Sequence, residues 1–325
     1  MLRVSESSAS EWDSKLDQSG STSPYNNAGW ALVKKFDGWR SIRTELRDGT
    51  ALTQVLIQTR PGLTVAYCPG GFVGDAAIDA DSFMEFISRE IGGKIVYSRI
   101  NMLSAVKDLH EPLVASGWKV ASGSLAAHES LQLQLDLPES ARREKLSTNW
   151  GRNLRRAEKH DNLTEVAVRP SAAEIVKMHM ELKQLKGGVV PGWVVSEEQV
   201  QSFLDGFQGR FVMVRCIGSD GALRAIRGAV ITGTTAYDML AASTMVGRKH
   251  YSSHHAFWVL ANELARRGST RYDLGGIDAI TNRGVYDFKQ GTGAELIRYR
   301  GEFESARPLI FRSVIGRIVA LRRVM

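Results

Sequence analysis

The sequence predicts two mixed α/β domains in tandem, and three observations carry that prediction. Short strands of alternating or continuous apolar residues are interleaved with helices of 3.6-residue period. A similar order of elements occurs twice along the chain. The length of 325 residues leaves room for two domains at roughly 100–200 residues each. Apolar residues make up 43% and charged residues 24%, which excludes a mainly disordered chain because this much apolar material can bury a core. No run approaches the roughly 20 apolar residues needed to span a bilayer, and Met1-Leu-Arg-Val-Ser-Glu lacks an apolar leader region. Cys68 and Cys216 are too few for a disulfide framework and have no CxxC spacing. A reducing, cytoplasmic setting is therefore expected. The excess of 42 Lys and Arg over 35 Asp and Glu gives a net charge of +7, which suits an anionic partner: nucleic acid, a phosphorylated small molecule or anionic lipid.

The elements follow in order. Residues 1–23 are polar and Ser-rich and read as a flexible start. Leu52–Thr59 and Leu63–Tyr67 are strands joined by the turn Arg60-Pro61-Gly62, and Pro69-Gly70-Gly71 breaks the pairing. Asp81 caps a helix with Phe83, Phe86, Ile87 and Ile91 on one face, which Gly92-Gly93 ends, and Lys94–Ile100 is a strand. Ser130–Leu137 alternates with Leu131, Leu133, Leu135 and Leu137 on one side. Residues 139–160 turn helical: Leu146, Trp150, Leu154 and Ala157 share one stripe and Arg152, Arg155, Arg156 and Lys159 another. The basic stripe is either a solvated helix face or a phosphate-facing one.

A second cycle begins with the strand Leu163–Arg169. Capping-box patterns at Ser171/Glu174 and Ser196/Gln199 open helices carrying Ile175, Met178 and Leu182, then Val200, Phe203, Leu204 and Phe207. Phe211–Ile217, Leu223–Thr232 and Thr235–Ser243 are successive strands. Ser253 caps a helix with Ala256, Phe257, Leu260, Ala261 and Leu264, stopped by Gly268. Arg271–Gly275 and Glu295–Phe303 are strands. The expected organisation is a segment 1–23, a first domain 24–145, a second domain 146–306 and a basic amphipathic C-terminal helix 307–325.

The densest chemical signal lies between 272 and 303. Asp273-Leu-Gly275-Gly276-Ile ends a strand in two glycines, which lets a ligand approach the backbone closely. Gly284-Val-Tyr-Asp-Phe288-Lys289-Gln-Gly then sets an aromatic and a cation beside a run of small residues. Such a lysine neutralises a phosphate, or stabilises the oxyanion formed when an amine attacks an acyl carbonyl. His250 and His254 stand four apart, a metal-ligand spacing on a helix, but no third ligand or HExxH glutamate accompanies them, so no metal is expected. There is no Gly-x-Ser-x-Gly for a nucleophilic serine and no phosphate loop of Walker A type.

These segments, with Arg300-Gly-Glu-Phe, resemble the C-terminal signature of the FemABX aminoacyltransferases, and FemX-like members in particular. Asn153-Leu-Arg-Arg-Ala-Glu-Lys159 resembles the basic helix of their second domain, Tyr67-Cys-Pro-Gly-Gly-Phe-Val a first-domain loop, and Tyr237 through Thr244 their tyrosine-containing strand. The resemblance spans roughly residues 24–305 and is most specific in the last third. It implies two tandem GNAT-like domains, and transfer of an amino acid from aminoacyl-tRNA to an amine of a UDP-linked or lipid-linked peptidoglycan precursor, with no permanently bound cofactor. Under it, Lys289 stabilises the oxyanion, Phe288 shapes the site and Tyr237 contacts the muropeptide. Lys35 (or Lys34, after Trp30) and the pair Arg155 and Arg156 meet nucleotide phosphates, while Tyr67, Asp273, Gly275 and Gly276 line the substrate. The chain departs from the family in having Gly70 where an arginine is common, and in lacking a long helical arm between 170 and 210. GNAT relatives use acyl-CoA instead, held by a glycine-rich loop at a helix N-terminus. The matching segment here, Val246 to Ser253, holds Arg248 and Lys249 but no Gly-x-Gly, so acyl-CoA-dependent acylation of an amino sugar is the alternative, and a non-catalytic nucleotide-sugar or RNA binder a third reading.

Arg307–Met325 sets Phe311, Val314, Ile315, Ile318 and Leu321 on one arc among Arg312, Arg317, Arg322 and Arg323. Such a helix docks on its own protein or lies at the inner membrane face.

Overall fold

A computed structural model describes all residues except 1, 22, 47, 48, 50, 75–79, 104–112, 115, 116, 161, 162, 188–193 and 322–325. The chain opens with β1 (Leu2–Val4), α1 (Ala9–Gln18), α2 (Ala28–Lys35), β2 (Arg40–Leu46), β3 (Ala51–Arg60), β4 (Leu63–Cys68), β5 (Val73–Gly74), α3 (Ala80–Ile91), β6 (Ile95–Met102) and β7 (Lys119–Val120). It continues with β8 (Glu129–Gln134), α4 (Glu139–Glu144), α5 (Thr148–Lys159), β9 (Leu163–Val166), α6 (Ala172–Leu185), α7 (Glu197–Gly206), β10 (Phe211–Ile217), β11 (Leu223–Thr232), β12 (Thr235–Ser243), α8 (Met245–Lys249), α9 (Ser252–Arg266), β13 (Arg271–Gly276), α10 (Arg283–Gln290) and β14 (Glu295–Arg298). Last come β15 (Gly301–Arg307), a 3₁₀ turn Leu309–Phe311 and α11 (Arg312–Leu321). The fold is mixed α/β with two mixed sheets, as expected.

Contacts divide the chain into Met1–His128 with Arg298–Met325, and Glu129–Ile297. The first unit has the strand order β1-β2-β3-β4-β6-β15-β7, with β5 on β3; the second has β14-β8-β13-β12-β11-β10-β9. Each sheet has a parallel pair bridged by a helix: β4 with β6 across α3, and β12 with β13 across α9. That shared device is the related design suggested by the repeating order of elements. Buried side chains of β3, β6 and α3 form the first core, with Phe83, Ile87 and Phe303 at its centre. Leu131, Leu133, Trp150, Phe257, Leu260 and Tyr272 mark the second.

The unit boundaries at 128/129 and 297/298 differ from the expected 145/146 and 306/307. Strand β8 pairs with β13, so it belongs to the second sheet. Residues 295–303, read as one strand, are two: the strand lapses at Tyr299-Arg300, and β15, which opens on Gly301 at φ +88°, pairs with β6 and β7 in the first sheet. Residues 1–23 are not a loose start. Ser8 and Glu11 form a reciprocal capping box on α1, and Trp12 and Leu16 are buried against Leu52 and Val73. The helix expected over 139–160 is two, because Ser147 caps α5 by accepting from the Trp150 N–H. Ser253 caps nothing; α9 begins after Tyr251, which takes φ 55°.

Candidate active site

The second unit gathers the polar groups that carry chemistry at the splayed end of its parallel pair. Pairing of β12 with β13 runs from Thr235–Arg271 to Tyr237–Asp273 and stops there. Beyond it the backbone of β13 turns away through Gly275, at φ +75°, and the freed carbonyls of Gly275 and Gly276 accept hydrogen bonds from Lys289 Nζ at 3.1 and 2.8 Å. An ammonium has three N–H donors, so two are spent on holding the lysine and one is left. A Cβ at Gly275 would meet nothing nearer than Lys289 Nζ at 3.8 Å. Gly275→Ala is therefore expected to destabilise the protein by about 1–2 kcal/mol through backbone strain rather than through a clash, measured as a shift in the urea midpoint.

Lys289 reaches this notch because Phe288, its neighbour on α10, is anchored. The Phe288 ring lies 4.9 Å from His254, 5.6 Å from Trp150 and 5.7 Å from Phe257, with the Arg227 guanidinium 4.6 Å above it. Arg227 in turn pairs with Asp238 at 3.2 Å, both side chains being under 10% exposed. Asp238 also accepts from the Tyr272 hydroxyl at 2.7 Å. On the other side of the strand end, Asp273 accepts from the Gly275 N–H at 2.8 Å and from Ser130 Oγ at 2.5 Å. It therefore holds the turn that presents the two carbonyls.

The electrostatics follow from this burial. Desolvation draws the Lys289 pKa below its ordinary 10.5, opposed by Asp238 and reinforced by Arg227, with Asp273 opposing more weakly. Burial, and then the Asp238 carboxylate, push the Tyr272 phenol well up, so it stays a donor. Burial and Arg227 bring His254 down to about 4, leaving it neutral near pH 7.

The remaining expected site residues fall in separate places. Tyr237 is buried on β12 in register with Asp273. Arg155 and Arg156 are exposed on α5. Arg156 donates to the Tyr251 hydroxyl at 3.1 Å, which sets it beside the start of α9. Arg248 and Lys249 are exposed on α8, just before that start. His250 faces the Arg224 guanidinium through Nδ1 and stacks on His160 at 4.4 Å, so it does not share the aromatic surroundings of His254. In the first unit, Tyr67 donates to Glu302 at 3.0 Å, and Glu302 is the buried partner of Arg99. Lys34 pairs with Asp37, whereas Lys35 is exposed. Asp278, considered alongside Asp273, accepts from the Ile280 and Thr281 N–H groups and shapes an exposed turn.

Sequence reasoning missed Arg227, Asp238 and Ser130. Arg227 interrupts the apolar strand Ala225-Ile-Arg-Gly-Ala-Val-Ile, and a charge inside such a run was the available signal, since buried charges need partners.

Residues 217–313 match the FemAB family. Over that segment the chain resembles the FemAB family. A crystal structure of FemX superposes with a TM-score of 0.79 at 16% identity, covering 93% of this chain and 96% of that one. L-PGS from Bacillus licheniformis gives 0.58 at 14% identity, covering 96% and 97%. A tandem GNAT protein from the clavulanic acid biosynthesis pathway gives 0.55 at 10% identity, covering 94% and 98%. At these identities the three structures establish the fold alone, which is a tandem GNAT-like one. No curated protein sequence matches it. The FemAB match takes in the Gly275–Gly276 turn, Lys289 and β15.

Proposed function

We propose that this protein transfers an aminoacyl group from aminoacyl-tRNA to an amine of a UDP-linked or lipid-linked peptidoglycan precursor. The observation that carries the reading is the third N–H of Lys289, held at a strand splay by two peptide carbonyls within the FemAB-matching segment. The acceptor amine attacks the ester carbonyl carbon of the donor, a C–N bond forms, and the carbonyl electrons move to oxygen. Lys289 donates to that oxyanion. Collapse breaks the ester C–O bond, and the amine proton leaves with the ribose oxygen. The chain supplies positioning and electrostatic stabilisation, and no strong protein base is required. Asp273, Gly275 and Gly276 line the acyl end and Tyr237 contacts the muropeptide. Arg155, Arg156 and Arg248 meet substrate phosphates around the start of α9.

The alternative donor is acyl-CoA, favoured by the same α9 start with Arg248 and Lys249 near it. Charged tRNA and acetyl-CoA, each offered with a UDP-muropeptide, separate the two. Amide formation with charged tRNA alone is expected, and turnover with acetyl-CoA alone would replace this reading.

The pKa direction adds a pH prediction. The ammonium form of Lys289 is the working one, and its pKa is depressed below 10.5. The kcat is therefore expected to fall as pH rises, with an alkaline limb below the free-lysine value. Lys289→Ala is expected to lose that limb, as a pH profile of kcat for both proteins will show.

A further inference from the structure

We propose that the outward face of α11 and the turn leading into it seat this protein on the surface of an anionic phospholipid bilayer. The expected single apolar arc is split between two sides. Ile315 is buried against Tyr97 and Ala306, with Phe311 and Val319 packed beside it. Gly316 faces the Glu304 carboxylate so closely that a Cβ would lie 2.5 Å from its oxygen. Those contacts define the inward side. The opposite side should then be polar, yet Val314, Ile318 and Leu321 are 59%, 49% and 62% exposed, and Leu309 and Ile310 are 52% and 80% exposed. Positions 314, 318 and 321 follow an i, i+4, i+7 spacing, so they form one continuous stripe.

Charge selects the occupant. From Ser305 to Met325 the sequence has five arginines and no Asp or Glu. Of these, Arg307 and Arg317 are exposed, Arg317 on α11 beside the stripe, Arg312 is turned inward and donates to the Gly117 carbonyl, and Arg322 and Arg323 lie outside the described residues. An apolar stripe flanked by arginine matches a bilayer interface, where the apolar side chains enter the acyl boundary and the guanidinium groups meet lipid phosphates. A second copy of the chain would bring the same cations face to face. A ten-residue helix, about 15 Å long, also offers far less than the roughly 800 Å² per partner of a stable dimer. No helix among the described residues is long and apolar enough to cross a membrane, so the mode is surface seating.

Flotation of the full chain with phosphatidylcholine vesicles, with and without phosphatidylglycerol, tests this. Binding is expected only to the phosphatidylglycerol vesicles and should weaken with salt. Val314→Asp with Ile318→Asp is expected to reduce it roughly tenfold or more. Both positions are exposed, so an unchanged unfolding midpoint confirms that the variant is folded. No flotation with either vesicle, or flotation unchanged in the variant, overturns the proposal. A lipid-free dimer in light scattering that the same substitutions dissolve would assign the face to a second copy and overturn it too.

Discussion

Lys289→Ala is expected to lower kcat by roughly 10²–10³, about the loss seen when one oxyanion donor is removed, with a much smaller change in KM. The reason is geometric. The ammonium is fixed by the Gly275 and Gly276 carbonyls before substrate arrives, so its remaining N–H is preorganised and acts only as charge develops on the acyl oxygen. Lys289→Arg is not expected to restore the rate, because a planar guanidinium presents its donors in a fork that a notch holding a single ammonium does not match. Steady-state kinetics for the three proteins, with their unfolding midpoints, separate this role from a structural one. A purely structural lysine would move the midpoint, and kcat only through the folded fraction.

Arg227→Met is expected to destabilise the protein by about 3–5 kcal/mol, because it leaves Asp238 buried without its cation. It also removes the guanidinium stacked on Phe288 and Phe257. The double variant Arg227→Met/Asp238→Leu is expected to recover much of that loss, since replacing both members of a buried pair leaves no uncompensated charge. Urea unfolding of the two variants checks both statements. Surviving activity in the double variant should fall as well, because the anchor that sets Phe288, and through it Lys289, is weakened.

Much of the second sheet was legible in the sequence. Phe211–Ile217, Leu223–Thr232 and Thr235–Ser243 form as read, because each is bounded by a glycine or polar turn and buried on at least one face. The strand ending in Gly275-Gly276 and the pair Phe288-Lys289 also stood out, and the fold brings them together. What local pattern could not supply was long-range pairing. Glu295–Phe303 reads as one strand, yet it lapses at Tyr299-Arg300 and β15, from Gly301 on, joins the other sheet. Strand β8 looks like the end of the first domain until its partner β13 is known. The Ser-rich composition of residues 1–23 hid the capping box that positions Trp12 and Leu16. In the site, Arg227 was visible as a charge in an apolar strand, but its partner Asp238 lies across the β11–β12 hairpin, at a β-bulge beside Gly228. The tail was legible as basic and apolar; only the packing of Ile315 and Gly316 shows which residues remain outward.

The central claim is transfer of an aminoacyl group to an amine, and the mass of the acceptor tests it most directly. After incubation with charged tRNA, a UDP-muropeptide is expected to gain the mass of one aminoacyl residue on its free amine. The same acceptor with that amine dimethylated is expected to gain none. A gain on the dimethylated acceptor, or an acetyl gain from acetyl-CoA with none from charged tRNA, would contradict the account.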